Sequence, residues 1–161
     1  FCLPGRQAIH RGDPVMTIYQ KALVALDLSD QKPTLLDKVT QVISTTSEVH
    51  VCAVIEPFDM VYPISPMDGY PFSTAEFQEK VEQQAIESLN TLAEVLNIPS
   101  ENAHLLVGKP SSEIKQFAQQ EEFDIIVVGT HGKGAARAML GSTSNGVLHD
   151  APCDVLAIRY S

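Results

Sequence analysis

Tryptophan is absent, and only three cysteines occur, Cys2, Cys52 and Cys153. They are far apart and form no CxxC pair, which excludes a disulfide framework and a cysteine-based zinc pattern. Cys52 and Cys153 stand in apolar, strand-like surroundings and read as small buried hydrophobes in a reducing compartment. Basic residues are scarce: 11 Lys and Arg face 20 Asp and Glu, for a net charge of −9. Wrapping a nucleic acid needs the opposite balance. A small anionic ligand is still compatible, because one or two cations and a few backbone N–H groups suffice for a phosphate. No apolar run approaches the roughly 18 residues of a membrane span. The first residues also lack the continuous apolar core of a secretory signal peptide, so a cytoplasmic location is expected.

Apolar residues make up 44% and charged residues 19% of 161 positions, a composition that suits one globular domain with one sizeable core. Residues 1–15, FCLPGRQAIHRGDPV, have no usable period and read as an expression remnant or disordered leader, with the domain proper at 16–161. From Lys21 onward, strand and helix signals alternate. Ala22–Leu26 is a continuous apolar run, as expected of a strand buried on both faces. Ser29 or Asp30 is placed to cap a first helix with Leu35, Leu36, Val39, Val42 and Ile43 on one face. Val49–Ile55 reads as a second strand. A proline-rich loop from Glu56 to Phe72 follows, long enough to suggest either a lid or a surface crossover. Ser73 or Thr74 caps a long helix with Phe77, Val81, Ala85, Leu89, Leu92 and Leu96 inward. Ala103–Val107 is a short strand. Gly108-Lys109-Pro110 turns into a helix with Ile114, Phe117 and Ala118 inward. Asp124–Val128 is a buried strand, Ser142–Asp150 a short helix and Cys153–Ile158 a final strand. This β-α-β-α-β-α-β-α-β order implies a parallel, doubly wound sheet with helices on both faces. Ligands of such sheets bind beyond the carboxyl ends of the strands, where the strand order reverses. Asp27 and Gly129 both directly follow a strand.

Five of the nine glycines fall in GTHGKGAARAMLGSTSNG, residues 129–146. The stretch is neither a Walker A loop, since Val147 and Leu148 stand where Lys and Ser/Thr are needed, nor a GxGxxG fingerprint, since Arg137 occupies the third glycine position. Glycines nevertheless let backbone N–H groups approach a ligand, and Gly141 with Ser142, Thr143 and Ser144 opens a helix whose free N–H groups favour an anion. Lys133 and Arg137 are available as cations. The plainer alternative is a glycine-rich turn with Ser142 or Thr143 as N-cap. Asp27 is likewise open to two readings, a ligand contact or a carboxylate capping the first helix. It lacks the companion acidic pair of a phosphoryl-accepting receiver domain. None of the five histidines, His10, His50, His104, His131 and His149, pairs with another at metal spacing. No Ser-His-Asp arrangement is suggested, and no catalytic residue is assigned.

Three segments together resemble the universal stress protein family: KALVALDLSD, GKPSSEIKQFAQQEEFDIIVVGTHGKG and LGSTSNGVLHDAPCDVLAIR. The resemblance extends over nearly all of residues 17–160. It implies a Rossmann-like α/β fold, a five-stranded parallel sheet in the order 3-2-1-4-5. It also implies a set of nucleotide contacts. Asp27 matches the residue that contacts the adenosine moiety, and Val54 an adenine-pocket residue. Val128 and Gly129 match the strand end beside the nucleotide. Gly132, Gly141, Ser142 and Thr143 match phosphate and ribose contacts, with Ser144 as their neighbour. One departure stands out. The ATP-binding pattern is Gly-x2-Gly-x9-Gly-Ser/Thr, whereas Lys133 to Leu140 gives a spacer of eight here.

The resemblance implies an ATP-binding stress protein, with AMP or ADP as alternatives and Mg²⁺ as companion. It implies a homodimer formed through the final strand, Asp154–Ile158, with a further protein partner that the sequence does not name. Two other functions stay open. One is slow ATP hydrolysis or self-phosphorylation on Ser142, Thr143 or Ser144, for which no general base is evident. The other is a dimeric scaffold that binds no nucleotide, which the short spacer favours.

Overall fold

A computed structural model describes residues 18–29, 32–46, 48–57, 74–130 and 141–159. Its elements run β1 (Lys21–Ala25), α1 (Pro33–Ile43), β2 (Glu48–Ile55), α2 (Thr74–Val95), a 3₁₀ turn (Ser100–Asn102), β3 (Ala103–Val107), α3 (Pro110–Gln120), β4 (Ile125–Gly129), α4 (Ser142–Leu148) and β5 (Asp154–Ile158). The five strands form one parallel sheet in the order β3-β2-β1-β4-β5. The strand order and layering expected from the sequence are therefore present.

The sheet explains the unbroken apolar runs. Side chains alternate across a strand, so a central strand must be apolar at every position to meet helices on both sides. In β1 and just beyond it, Ala22, Val24 and Leu26 pack toward α1 and α2, with Leu35, Val39, Leu89 and Leu92. Leu23 and Ala25 pack the other way, toward α3 and α4, with Ile114, Ala118 and Val147. β4 divides likewise: Ile125 and Val127 belong to the first cluster, Ile126 and Val128 to the second. Burial of each large aliphatic side chain contributes roughly 1.5–3 kcal/mol. The two cores therefore grip the same sheet from opposite sides.

Local sequence sets the helix ends, and here three expectations change. α1 starts at Pro33 with Lys32 as N-cap in an extended conformation and no side-chain cap. Ser29 is not the cap: its N–H and hydroxyl both donate to Asp27 Oδ1, and Asp30 lies outside the described residues. Proline at the first helical position makes a side-chain cap less necessary, because its φ is already helical and it has no N–H to satisfy. In α2, Ala85, Leu89, Leu92 and Leu96 are buried as expected, but Phe77 is 48% exposed. The inward face therefore begins about two turns later than its apolar period implies. Thr74 is the first helical residue, and Ser73 lies outside the described residues. α4 ends at Leu148 rather than Asp150, because His149 is extended and Asp150 takes a φ of 56°.

Two glycines have structural duties. Gly108 adopts φ +147°, with the Glu113 side chain packed where a Cβ would sit, at the turn into α3. Gly146 lies inside α4, where an added Cβ would fall 2.7 Å from Ser111 Cβ on α3. One of the five clustered glycines thus lets two helices approach closely.

Candidate functional site

The strand order reverses at β1, whose neighbours β2 and β4 lead to opposite edges. A crevice is expected beyond the carboxyl ends of β1 and β4. On the β1 side, Leu26 N–H still donates to Cys52 carbonyl oxygen at 3.2 Å, and the chain then leaves the sheet. Asp27 is exposed at this point, and its Oδ1 accepts from Ser29 N–H at 2.8 Å and Ser29 Oγ at 2.6 Å. This local turn fixes the carboxylate at the strand end instead of committing it to the first turn of α1. Val54, half-buried on β2 in register with Leu106, lies on the same sheet face as Ala25 and Val128.

On the β4 side, Val128 is buried and in register with Ala25 and Ala157. Gly129 is half-buried and in register with Ile158. Thr130 N–H donates to Ile158 carbonyl oxygen at 3.0 Å, and Gly141 N–H donates to Thr130 carbonyl oxygen at 2.8 Å. The end of β4 and the start of α4 are therefore joined directly by a hydrogen bond. Gly132, Lys133 and Arg137, together with His131, lie outside the described residues.

α4 opens with Gly141 as N-cap (φ −58°, ψ 155°) and no side-chain cap. Neither Ser142 nor Thr143 acts as the plain N-cap. The three hydroxyl residues separate by environment: Ser142 is exposed, Thr143 half-buried and Ser144 buried. Ser144 Oγ donates to the Gly129 carbonyl, tying α4 to the end of β4. Asp27, Val54, Val128, Gly129, Gly141, Ser142, Thr143 and Ser144 are thus all placed on the carboxyl-end side of the sheet or in the helix that follows it. These groups differ in chemistry: the Asp27 carboxylate is an acceptor, whereas the Ser142 and Thr143 hydroxyls and the first N–H groups of α4 are donors.

The cysteines behave as expected of packed hydrophobes. Cys52 is fully buried, and burial pushes its thiol up to about 12. Cys153 is half-buried and also raised, by burial first and then by Asp154 and Asp124. Neither has the lowered pKa that makes a thiol reactive. Among the described residues, no three His, Cys, Asp or Glu side chains could hold a metal ion, and no helix is long and apolar enough to cross a membrane.

One contact escaped the sequence reading. His50 Nδ1 and His104 Nε2 are 2.8 Å apart, with rings stacked at an interplanar angle of 9°. The two histidines are 54 positions apart, so local spacing carries no sign of the pairing. The only available signal was that both fall in strands that the topology makes neighbours.

A five-stranded parallel sheet in this order, with helices on both faces, defines the class: a Rossmann-like α/β protein. The sequence profile of the universal stress protein family matches residues 18–159, and the chain belongs to that family. Universal stress protein A homolog 1 of Coxiella burnetii is 33% identical over 144 residues, covering 87% of this chain and 96% of the relative. Universal stress protein MJ0531 of Methanocaldococcus jannaschii is 28% identical over 154 residues, covering 88% and 83%. Among solved structures, hypothetical protein MJ0577 superposes with a TM-score of 0.68 at 22% identity, covering 90% of this chain and 99% of that one. A universal stress protein in complex with cAMP superposes with a TM-score of 0.58 at 19% identity, covering 89% and 98%.

Proposed function

We propose that the protein binds an adenine nucleotide across the carboxyl ends of β1 and β4 and acts as a homodimeric regulator in a stress response. The observation that supports this reading is the placement of the exposed Asp27 carboxylate after β1 and of Gly141, Ser142 and Thr143 at the helix start after β4, on the same carboxyl-end side of the sheet. Asp27 is the acceptor for ribose hydroxyls or a base amino group. Val54 and Val128 supply the apolar wall for the base. Gly129, Gly132, Gly141, Ser142 and Thr143 supply close backbone approach and donors for phosphate, and Ser144 holds α4 in place behind them. The order of these groups matches a nucleotide laid with its base over β1 and β2 and its phosphates toward α4. ATP with Mg²⁺ is the first expectation, with AMP and ADP as alternatives. The solved family member in complex with cAMP supports an adenine nucleotide as the ligand class.

Nucleotide binding regulates a partner only if the ligand favours one conformation or assembly over another. β5 is the natural place for that assembly. Among the described residues it pairs only with β4, and Leu156 on it is 36% exposed. A sheet edge of this kind is suited to a second copy across a two-fold axis.

Calorimetric titration of Mg-ATP into the full chain tests the reading, with AMP and ADP as comparisons. Binding at about 100 μM or tighter, near −5.5 kcal/mol, is expected. No heat with any of the three, in folded protein free of copurified nucleotide, would overturn it. The eight-residue spacer would then favour the dimeric scaffold that acts through protein partners alone.

A further inference from the structure

At the opposite end of the sheet stands a chain of side chains that the nucleotide reading does not use. Glu48 Oε1 lies 2.8 Å from His50 Nε2, and His50 Nδ1 lies 2.8 Å from His104 Nε2. Glu48 and His50 sit at the start of β2, and His104 sits near the start of β3, an edge strand. His50 is only 8% exposed, an uncommon position for an imidazole unless its nitrogens are satisfied. Phe123 meets its ring edge-on at 5.1 Å, and Phe117 lies against His104 at 4.8 Å.

The proton count of this chain is constrained. A carboxylate only accepts, so His50 Nε2 carries a hydrogen and donates to Glu48. In the neutral pair His50 Nδ1 is then a lone pair, and His104 Nε2–H donates to it. A first added proton is tolerated: on either ring, it leaves a single hydrogen between His50 Nδ1 and His104 Nε2, and both hydrogen bonds survive. A second added proton puts a hydrogen on both facing nitrogens, and two N–H groups then face each other at 2.8 Å between two cations. That arrangement has no acceptor and must open.

We propose that Glu48, His50 and His104 form an acid-sensitive latch that clips the first residues of β3 to β2 and releases them when both imidazoles are charged. The surroundings set where it works. From β1, Lys21 Nζ lies 3.6 Å from Glu48 Oε1 and opposes added positive charge. From the turn after α3, Glu121 favours it; its carboxylate is 3.9 Å from Lys21 Nζ and its carbonyl accepts from the same amine at 2.8 Å. Asp124, before β4, accepts from the Gln20 and Lys21 N–H groups at 2.9 Å. Phe117 and Phe123 bring no charge, and Asn102 donates to Val49 carbonyl oxygen at 3.1 Å. Burial, and then repulsion from His50 and Lys21, draw His104 below the ordinary imidazole range against the pull of Glu121. The unfolded chain therefore binds this proton more readily than the folded one. Stability is full above the ordinary imidazole value of about 6.5 and is lost as pH falls through it.

Two measurements on the full chain test the latch. In imidazole ¹⁵N NMR between pH 8 and 5, His104 is expected to titrate below the ordinary imidazole position, with the His50 ring nitrogens shifting as it does so because the two share a hydrogen. Hydrogen-exchange protection of β3 amides is compared between the wild type and His104→Gln, whose side-chain N–H₂ can still donate to His50 Nδ1 but takes up no proton. Below about pH 6, wild-type protection should fall up to about tenfold per pH unit more steeply than in the variant. Titration of His104 at the ordinary imidazole position with no accompanying response at the His50 ring would overturn the proposal, as would equal pH dependence of β3 protection in the two proteins. If His104→Gln does not fold, the wild-type NMR titration decides alone.

Discussion

The two ends of the sheet solve opposite problems. At the carboxyl end, β1 and β4 lead to Asp27 and Gly129, and the polar side chains there are the exposed Asp27 and Ser142, the half-buried Thr143 and the buried Ser144. At the amino end, Lys21, Glu48, His50, His104, Glu121 and Asp124 bond to one another and to neighbouring backbone. Among the described residues, the carboxyl end keeps its side-chain bonds local, Asp27 with Ser29 and Ser144 with Gly129, and leaves Asp27 and Ser142 exposed; the amino end ties distant parts of the chain into one network. An exposed polar group bound only to a near neighbour can still meet a ligand, whereas a structural junction needs bonds between distant segments.

Four substitutions break or sharpen this contrast, in descending order of expected effect. Leu23→Ala removes a fully buried side chain from the middle of β1 and so weakens both ends together. A loss of about 2–5 kcal/mol in urea unfolding is expected. Asp27→Ala acts on one end alone. Calorimetry should show nucleotide affinity falling about tenfold or more, near 1.4 kcal/mol, while urea stability changes by less than about 0.5 kcal/mol. Ser144→Ala removes the donor to the Gly129 carbonyl and should lower stability by about 1 kcal/mol, measured by thermal or urea unfolding. Glu48→Gln is the mildest. The bond from His50, helped by Lys21, holds the exposed Glu48 carboxyl below its ordinary value of 4.5. That contribution is present above the ordinary value and fades as pH falls through the folded one. Stability curves of wild type and variant should therefore converge toward pH 3–4, and the nucleotide affinity of the variant should match wild type at pH 7.

The contrast also explains what could be read from the sequence. The strands were legible because a sheet covered on both faces demands unbroken apolar runs, as in Ala22–Leu26 and Ile125–Val128. The strand order followed from the family resemblance and the alternation of elements. The carboxyl-end residues were legible because they cluster locally: Gly129 and Gly141–Ser144 lie within 16 positions. The amino-end chain was not, because His50 and His104 meet only through the β2–β3 register, where His104 is opposite Cys52. The helix caps failed for a related reason. Ser29 had two bonding options, and the nearby Asp27 carboxylate took it before α1 could. Gly146 looked like part of a ligand motif, yet the surface of α3 explains it.

The hydrogen bond from Gly141 to Thr130 works like a drawstring. It draws the residue after β4 and the N-cap of α4 together. The Ser144 hydroxyl, bound to the Gly129 carbonyl, is a second stitch one turn further on. Two stitches made by different groups hold the same seam, so loss of either leaves the other to keep Gly129 and Gly141 side by side.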